Sequence, residues 1–183
     1  MAAIIVLILA ILSRFLPHAL HTAAWGVTAL GGGLLFAGSR WDRPHRWQVG
    51  LAVLGIAVSD WVLTTRVYGF PFHVSGYVVT WLWYGLLCLA ASAWLYRRSS
   101  FLRVVMAALF SSTGFFLLSN GMVWATGTMY ARSIAGLTAC YVAGLPFYRN
   151  DVLSTLAVCG ILFGVPALAR RFAVEYPHNT LST

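Results

Sequence analysis

Asp60 is the residue in this chain whose chemistry is hardest to ignore, because it is a carboxylate set inside the apolar run at residues 48–66. Insertion scales put the cost of an aspartate at the centre of hydrocarbon at about 2.5–3.5 kcal/mol, so Asp60 must face a bundle interior and find a partner there. The nearest candidates are Arg66 on the same segment and His73 at the end of Tyr68-Gly69-Phe70-Pro71-Phe72-His73. A structural ion pair, a cap to a broken helix and a ligand site all fit such a residue. His18, His21 and His73 could together hold a metal, although scattered interfacial histidines more often serve as hydrogen-bonding groups. A second polar feature is a double stripe at four-residue spacing, Ser111, Phe115 and Ser119 beside Ser112, Phe116 and Asn120. This spacing places the six on one helix face, as interhelical glue or as ligand contacts. Tyr77, Trp81, Gly85 and Cys88 form a similar stripe. No CxxC, HExxH, GxSxG or phosphate-binding glycine loop occurs, and no carboxylate pair, so the expectation is that the chain is not an enzyme.

These residues need a scaffold, and the composition names its solvent. With 60% hydrophobic and 9% charged residues among 183, and a mean hydropathy of +0.81, too little polar surface remains to face water. The expected fold is all-α: an integral membrane bundle with helices near residues 2–17, 20–38, 48–66, 74–96, 101–124 and 151–170, each close to the roughly 20 residues that cross hydrocarbon. Residues 130–149 are apolar but broken by Gly136, Gly144 and Pro146, and read as a partly inserted lid helix over residues 133–145. The bundle would occupy residues 1–172, with 173–183 as a cytoplasmic tail. Met1-Ala2-Ala3 lacks the basic start of a signal peptide, so the first run is expected to stay as a membrane helix.

Charge sets the orientation. All twelve basic residues are arginine. Arg40, Arg43, Arg46, Arg97, Arg98, Arg103, Arg170 and Arg171 fall on one side of a six-span bundle, while Arg14, Arg66, Arg132 and Arg149 lie on or near the other. The positive-inside rule then puts both termini in the cytoplasm. The net charge of +8 caps apolar runs and forms no basic face, which points to anionic lipid and away from nucleic acid. The opposite loops gather histidine and tyrosine.

Ser13-Arg14-Phe15-Leu16-Pro17-His18, Ala57-Val58-Ser59-Asp60, Gly114-Phe115-Phe116 with Ser119-Asn120, and Gly136-Leu137-Thr138-Ala139-Cys140-Tyr141 followed by Leu145-Pro146-Phe147 carry a likeness over most of the chain. It resembles a family of small, poorly characterised bacterial membrane proteins. In helix count and outer loops that family looks like the substrate-binding S-components of energy-coupling-factor vitamin transporters, an architectural likeness. One such group is similar to a solitary cobalamin transporter with an outer-loop cysteine on cobalt. Here His73 stands in the comparable place and is the candidate cobalt ligand, with Phe70, Phe72, Tyr77, Trp81 and Tyr130 as an aromatic cup.

The expected function is capture of a small vitamin-like ligand, cobalamin first among named ones, from the outer face. Asp60, His73, Asn120 and Arg149 would orient it, and Tyr77, Trp81, Tyr130, Tyr141, His18 and His21 would complete the site. Ala29, Gly33 and Ala37 form a small-residue ridge able to dock a coupling or other membrane subunit. The rival reading is a non-catalytic accessory or assembly subunit of a larger membrane complex.

Overall fold

The computed structural model describes residues 1–19 and 27–169. His21, Arg170, Arg171 and the expected tail lie outside them. Helix α1 (Ala2–Leu12) continues through a 3-10 turn (Ser13–Phe15) into one further turn at Leu16–Ala19. Then come α2 (Leu30–Ser39), α3 (Gln48–Val62) with a π-turn at Leu63–Val67, α4 (Val78–Trp94), α5 (Phe101–Thr126) and α6 (Ile134–Cys159) with a π-turn at Gly160–Gly164. Four of the resulting continuous helices are long and apolar enough to cross a membrane, Ala2–Ala19, Arg43–Val67, Phe101–Thr126 and Ile134–Ala169, while Leu30–Ser39 and Val78–Trp94 are shorter apolar helices. The chain is a polytopic membrane protein, all helical in its described elements.

One expectation fails outright. The separate lid over residues 133–145 and the last span beginning at 151 are a single helix of 36 residues. Ser133 caps its start, its side chain accepting from the Gly136 N–H at 3.1 Å, which satisfies one of the donors a helix N-terminus leaves open. Pro146 sits inside this helix without ending it. It leaves one carbonyl a turn earlier without its usual donor. The polar triplet Arg149-Asn150-Asp151, which reads as a boundary, is therefore in mid-helix.

The small-residue ridge is likewise used up inside the bundle. All ten residues of α2 are buried, and the helix packs against α1, α4, α5 and α6. Glycine permits this close approach: a Cβ on Gly31 would fall 2.6 Å from Thr155 Oγ1 of α6, one on Gly38 would fall 2.6 Å from the Cys88 carbonyl of α4, and one on Gly33 would collide with Ala10 of α1. Ala37 is fully buried. Gly33 and Ala37 are thus covered by the helix's own neighbours, and only the half-buried Ala29 of the expected ridge lies outside the buried helix. Outward faces carry the large apolar side chains instead, among them Ile8, Leu54, Leu86, Phe110 and Leu153, as expected where lipid is the solvent.

Helices α5 and α6 pair antiparallel. Tyr148 Oη and Thr113 Oγ1 are 2.9 Å apart, Tyr141 Oη donates to the Leu117 carbonyl at 2.9 Å, and Gly144 lies against the Asn120 side chain. The arginine-rich loops share one end: Arg46 Nε donates to Ser92 Oγ at 3.0 Å, and Ser92 Oγ to the Trp41 carbonyl at 2.7 Å. Arg43, Arg46 and Arg97 line one cleft there.

Candidate functional site

Counting from the arginine-rich end locates a polar layer. Arg14, Asp60, Ser112 and Tyr84 lie 12, 12, 11 and 10 positions along α1, α3, α5 and α4 from that end. At 1.5 Å per residue each is about 15–18 Å above it, roughly the midplane of a 30 Å hydrocarbon core. Four helices of different direction and length therefore bring polar groups to one depth.

The partner of Asp60 is Arg14. Its guanidinium donates to Asp60 Oδ1 and to Ser59 Oγ, and reaches the Ile56 carbonyl at 3.4 Å. Trp81 Nε1 donates to the other carboxylate oxygen at 2.7 Å. Asp60 is only 4% exposed, so its charge is matched and both oxygens are bonded. Neither expected partner is used: Arg66 is exposed and stacks over the Trp61 ring at 5.9 Å, and no ion pair forms to His73. Reading Asp60 only against its own helix and the following loop missed Arg14. The signal was available, since an arginine inside an apolar run has the same need for a partner as the aspartate.

Two cavities lie on either side of Arg14 and Thr28, which line both. The central one is about 340 Å³, walled by Tyr84, Phe115, Phe116, Phe147 and Tyr148, with Ser112, Ser119, Asn120 and Asp151 as polar groups. Tyr84 stacks on Phe115 at 5.5 Å, and Phe116 packs at a tilt against Tyr148 at 4.8 Å. Asn120 is positioned by its Nδ2, which donates to the Phe116 carbonyl at 2.9 Å, and by Gly144, where a Cβ would fall 2.6 Å from Asn120 Oδ1. Ser112 lies beside the Asp151 carboxyl. Five residues of the double stripe on α5 thus form one wall of the cavity.

The second cavity, about 600 Å³, opens at the end away from the arginines and is lined by Asp60, Thr64, Tyr68, Phe70, His73 and Tyr77 among others. Tyr77 Oη and Thr64 Oγ1 are 2.6 Å apart across the π-turn that follows Asp60. Gly69, at φ 71°, makes the turn that carries the chain back over this mouth. Phe72, Tyr77 and Trp81 pack as a triangular cluster with centroids 5.0, 6.0 and 6.4 Å apart, and Trp81 bonds Asp60. That cluster is a packed wall where an open cup was expected.

The structure brings Asp60, His73 and Tyr77 to the far cavity, Trp81 against Asp60, and Asn120 to the central cavity. His18 packs edge-on to Tyr68 at 6.4 Å. Tyr141 ties α6 to α5, and neither it nor Tyr130 lines either of these two cavities. Arg149 is on the exposed side of α6 and lines neither. Among the described residues no three His, Cys, Asp or Glu are grouped to hold a metal ion. Arg14, Tyr84, Tyr148 and Asp151 were absent from the expected site.

The sequence profile that fits this chain covers residues 1–178. The chain belongs to a family of unknown function, DUF6580. No curated protein and no solved structure matches it. The family assignment therefore places the chain without assigning chemistry, and the arrangement around Arg14 is what bears on function.

Proposed function

We propose that the chain is a non-catalytic, ligand-binding membrane transport protein, similar in plan to the S-components, that takes a small amphipathic ligand into the bundle from the face opposite the arginine-rich loops. The observation that carries this reading is the central cavity of about 340 Å³, with aromatic walls and a few fixed polar groups at mid-depth, which shares Arg14 with a second cavity at the far end. Pockets for small molecules have this make-up and begin at about 300 Å³. Six crossings with both termini cytoplasmic, in a bacterial inner membrane, fit the positive-inside rule, since Arg43, Arg46 and Arg97 cluster at one end. The ligand would pass His73, Phe70 and Tyr77, then Arg14, and rest against Tyr84, Tyr148 and Asn120. The accessory-subunit reading loses the ridge that gave it a docking surface.

The test is co-purification. Protein extracted in mild detergent and examined by native mass spectrometry and solvent extraction should carry a small molecule near one per chain, and Gly144→Leu, which fills the cavity against Asn120, should lose it. A wild-type protein with no bound molecule, or identical extracts from both proteins, would overturn the reading. Corrin absorbance in the same extracts and a thermal shift with added cobalamin decide whether cobalamin is that ligand.

A further inference from the structure

We propose that the central cavity is built for a small organic monocation, an amine, with Asp151 as its counter-charge; this rests on the cavity being the ligand site. Two ionisable groups of opposite sign line that cavity, Arg14 and Asp151, but they are not equivalent. Arg14 already has Asp60 as its partner, and three of its hydrogen bonds run to Asp60, Ser59 and Ile56. Asp151 forms no salt bridge to any described basic residue. Arg149, two positions earlier, is exposed on another side of α6, as residues two apart on a helix must be.

Of the three ionisable groups Arg14, Asp60 and Asp151, the first two pair with each other, and the one left without a counter-ion among the described residues is the one that faces the cavity. The groups from other elements that line the cavity with Asp151 are Ser112 of α5, which lies beside its carboxyl, Tyr84 of α4 and Arg14, and on its own helix Tyr148. Within α2 there is no titratable side chain. A carboxylate in low dielectric without a counter-ion is costly, and a cation held against it removes that cost. The walls suit the same guest: Tyr84, Phe115, Phe116 and Tyr148 line the cavity, and aromatic rings attract ammonium groups. An anion entering the same space would find Arg14 taken by Asp60 and Asp151 repelling it.

Three compounds on one skeleton separate the cases: phenethylamine, 2-phenylethanol and phenylacetate, titrated into the purified chain in neutral detergent by calorimetry. The amine should bind saturably, one per chain, at least tenfold tighter than the alcohol, and phenylacetate should not bind. Asp151→Asn should bring the amine to the level of the alcohol. Should Asp151→Asn fail to fold, the wild-type series decides alone. Equal or tighter binding of the alcohol or the acid overturns the cation assignment and leaves the ligand-site reading standing. Absence of amine binding overturns the assignment too, while the ligand-site reading is then judged by the co-purified molecule, which none of these compounds affects.

Discussion

Arg14 on α1 and Asp60 on α3, 46 positions apart in the chain, form a buried ion pair at mid-bundle, completed by Ser59 and by the indole of Trp81. Removing one member leaves the other charge unmatched in low dielectric, whereas replacing both with apolar side chains removes the desolvation cost along with the attraction. Asp60→Ala is therefore expected to destabilise the folded protein by about 3–5 kcal/mol. The double variant Arg14→Leu/Asp60→Leu should recover most of that loss, as read by thermal melting in detergent. Two single variants and a double that simply add would refute the coupling.

Trp81 contributes separately through its N–H. A hydrogen bond to a charged group is worth about 1.5–3 kcal/mol, so Trp81→Phe, which keeps a ring in the cluster with Tyr77 and Phe72, should cost an amount in that range. Chemical unfolding measures it. In an Asp60→Asn background the cost should shrink, because the acceptor is then neutral.

The burial of α2 makes a clear distinction between packing and docking. Gly31→Val places a branched side chain where even a Cβ would meet Thr155 at 2.6 Å. Overpacking of this kind costs about 1–3 kcal/mol, and it should appear as a lowered melting temperature with no change in the partners recovered by gentle extraction. A normal melting temperature with a lost partner would reverse the assignment of this ridge to internal packing.

Outside the spans, Asp42 caps the 3-10 turn Arg43–His45, accepting from the His45 backbone N–H at 3.2 Å and pairing with its imidazole. The side-chain hydrogen bond to His45 is the main reason the Asp42 carboxyl titrates below its ordinary value of 3.8. A depressed carboxyl stabilises the cap above the unfolded value, and this support is lost as pH falls through the folded one. A carbon-13 titration should therefore place the Asp42 midpoint below 3.8 and return it toward 3.8 in His45→Ala. A midpoint unmoved by that substitution would refute the pairing.

Much of this protein was legible in the residues alone. Composition fixed the solvent, and hydropathy located α1, α3, α4 and α5 to within a few residues, because apolar length is all a bilayer asks of a helix. The arginines marked one end, since charge placement at membrane ends is itself a sequence property. Asp60 stood out as a group needing a partner, and the Ser112, Phe116, Asn120 stripe as a polar face, since helical periodicity puts such residues together wherever the helix packs.

Tertiary structure decided the rest, and in each case the reason is a contact between distant segments. The expected start of the last span at 151 falls in mid-helix, with Asp151 lining a cavity while Arg149 is exposed. The ridge Ala29, Gly33, Ala37 could have met any small surface, and it is α1, α4 and α6 that enclose its helix. Local spacing could not choose Arg14 for Asp60 over Arg66 or His73, because the choice depends on α1 and α3 lying side by side with those two residues at equal depth. The sequence by itself determined that this chain lives in a membrane and which polar groups must be satisfied there. Only the packing of the helices decided which of those groups satisfy one another, and that Asp151 is left to face the cavity.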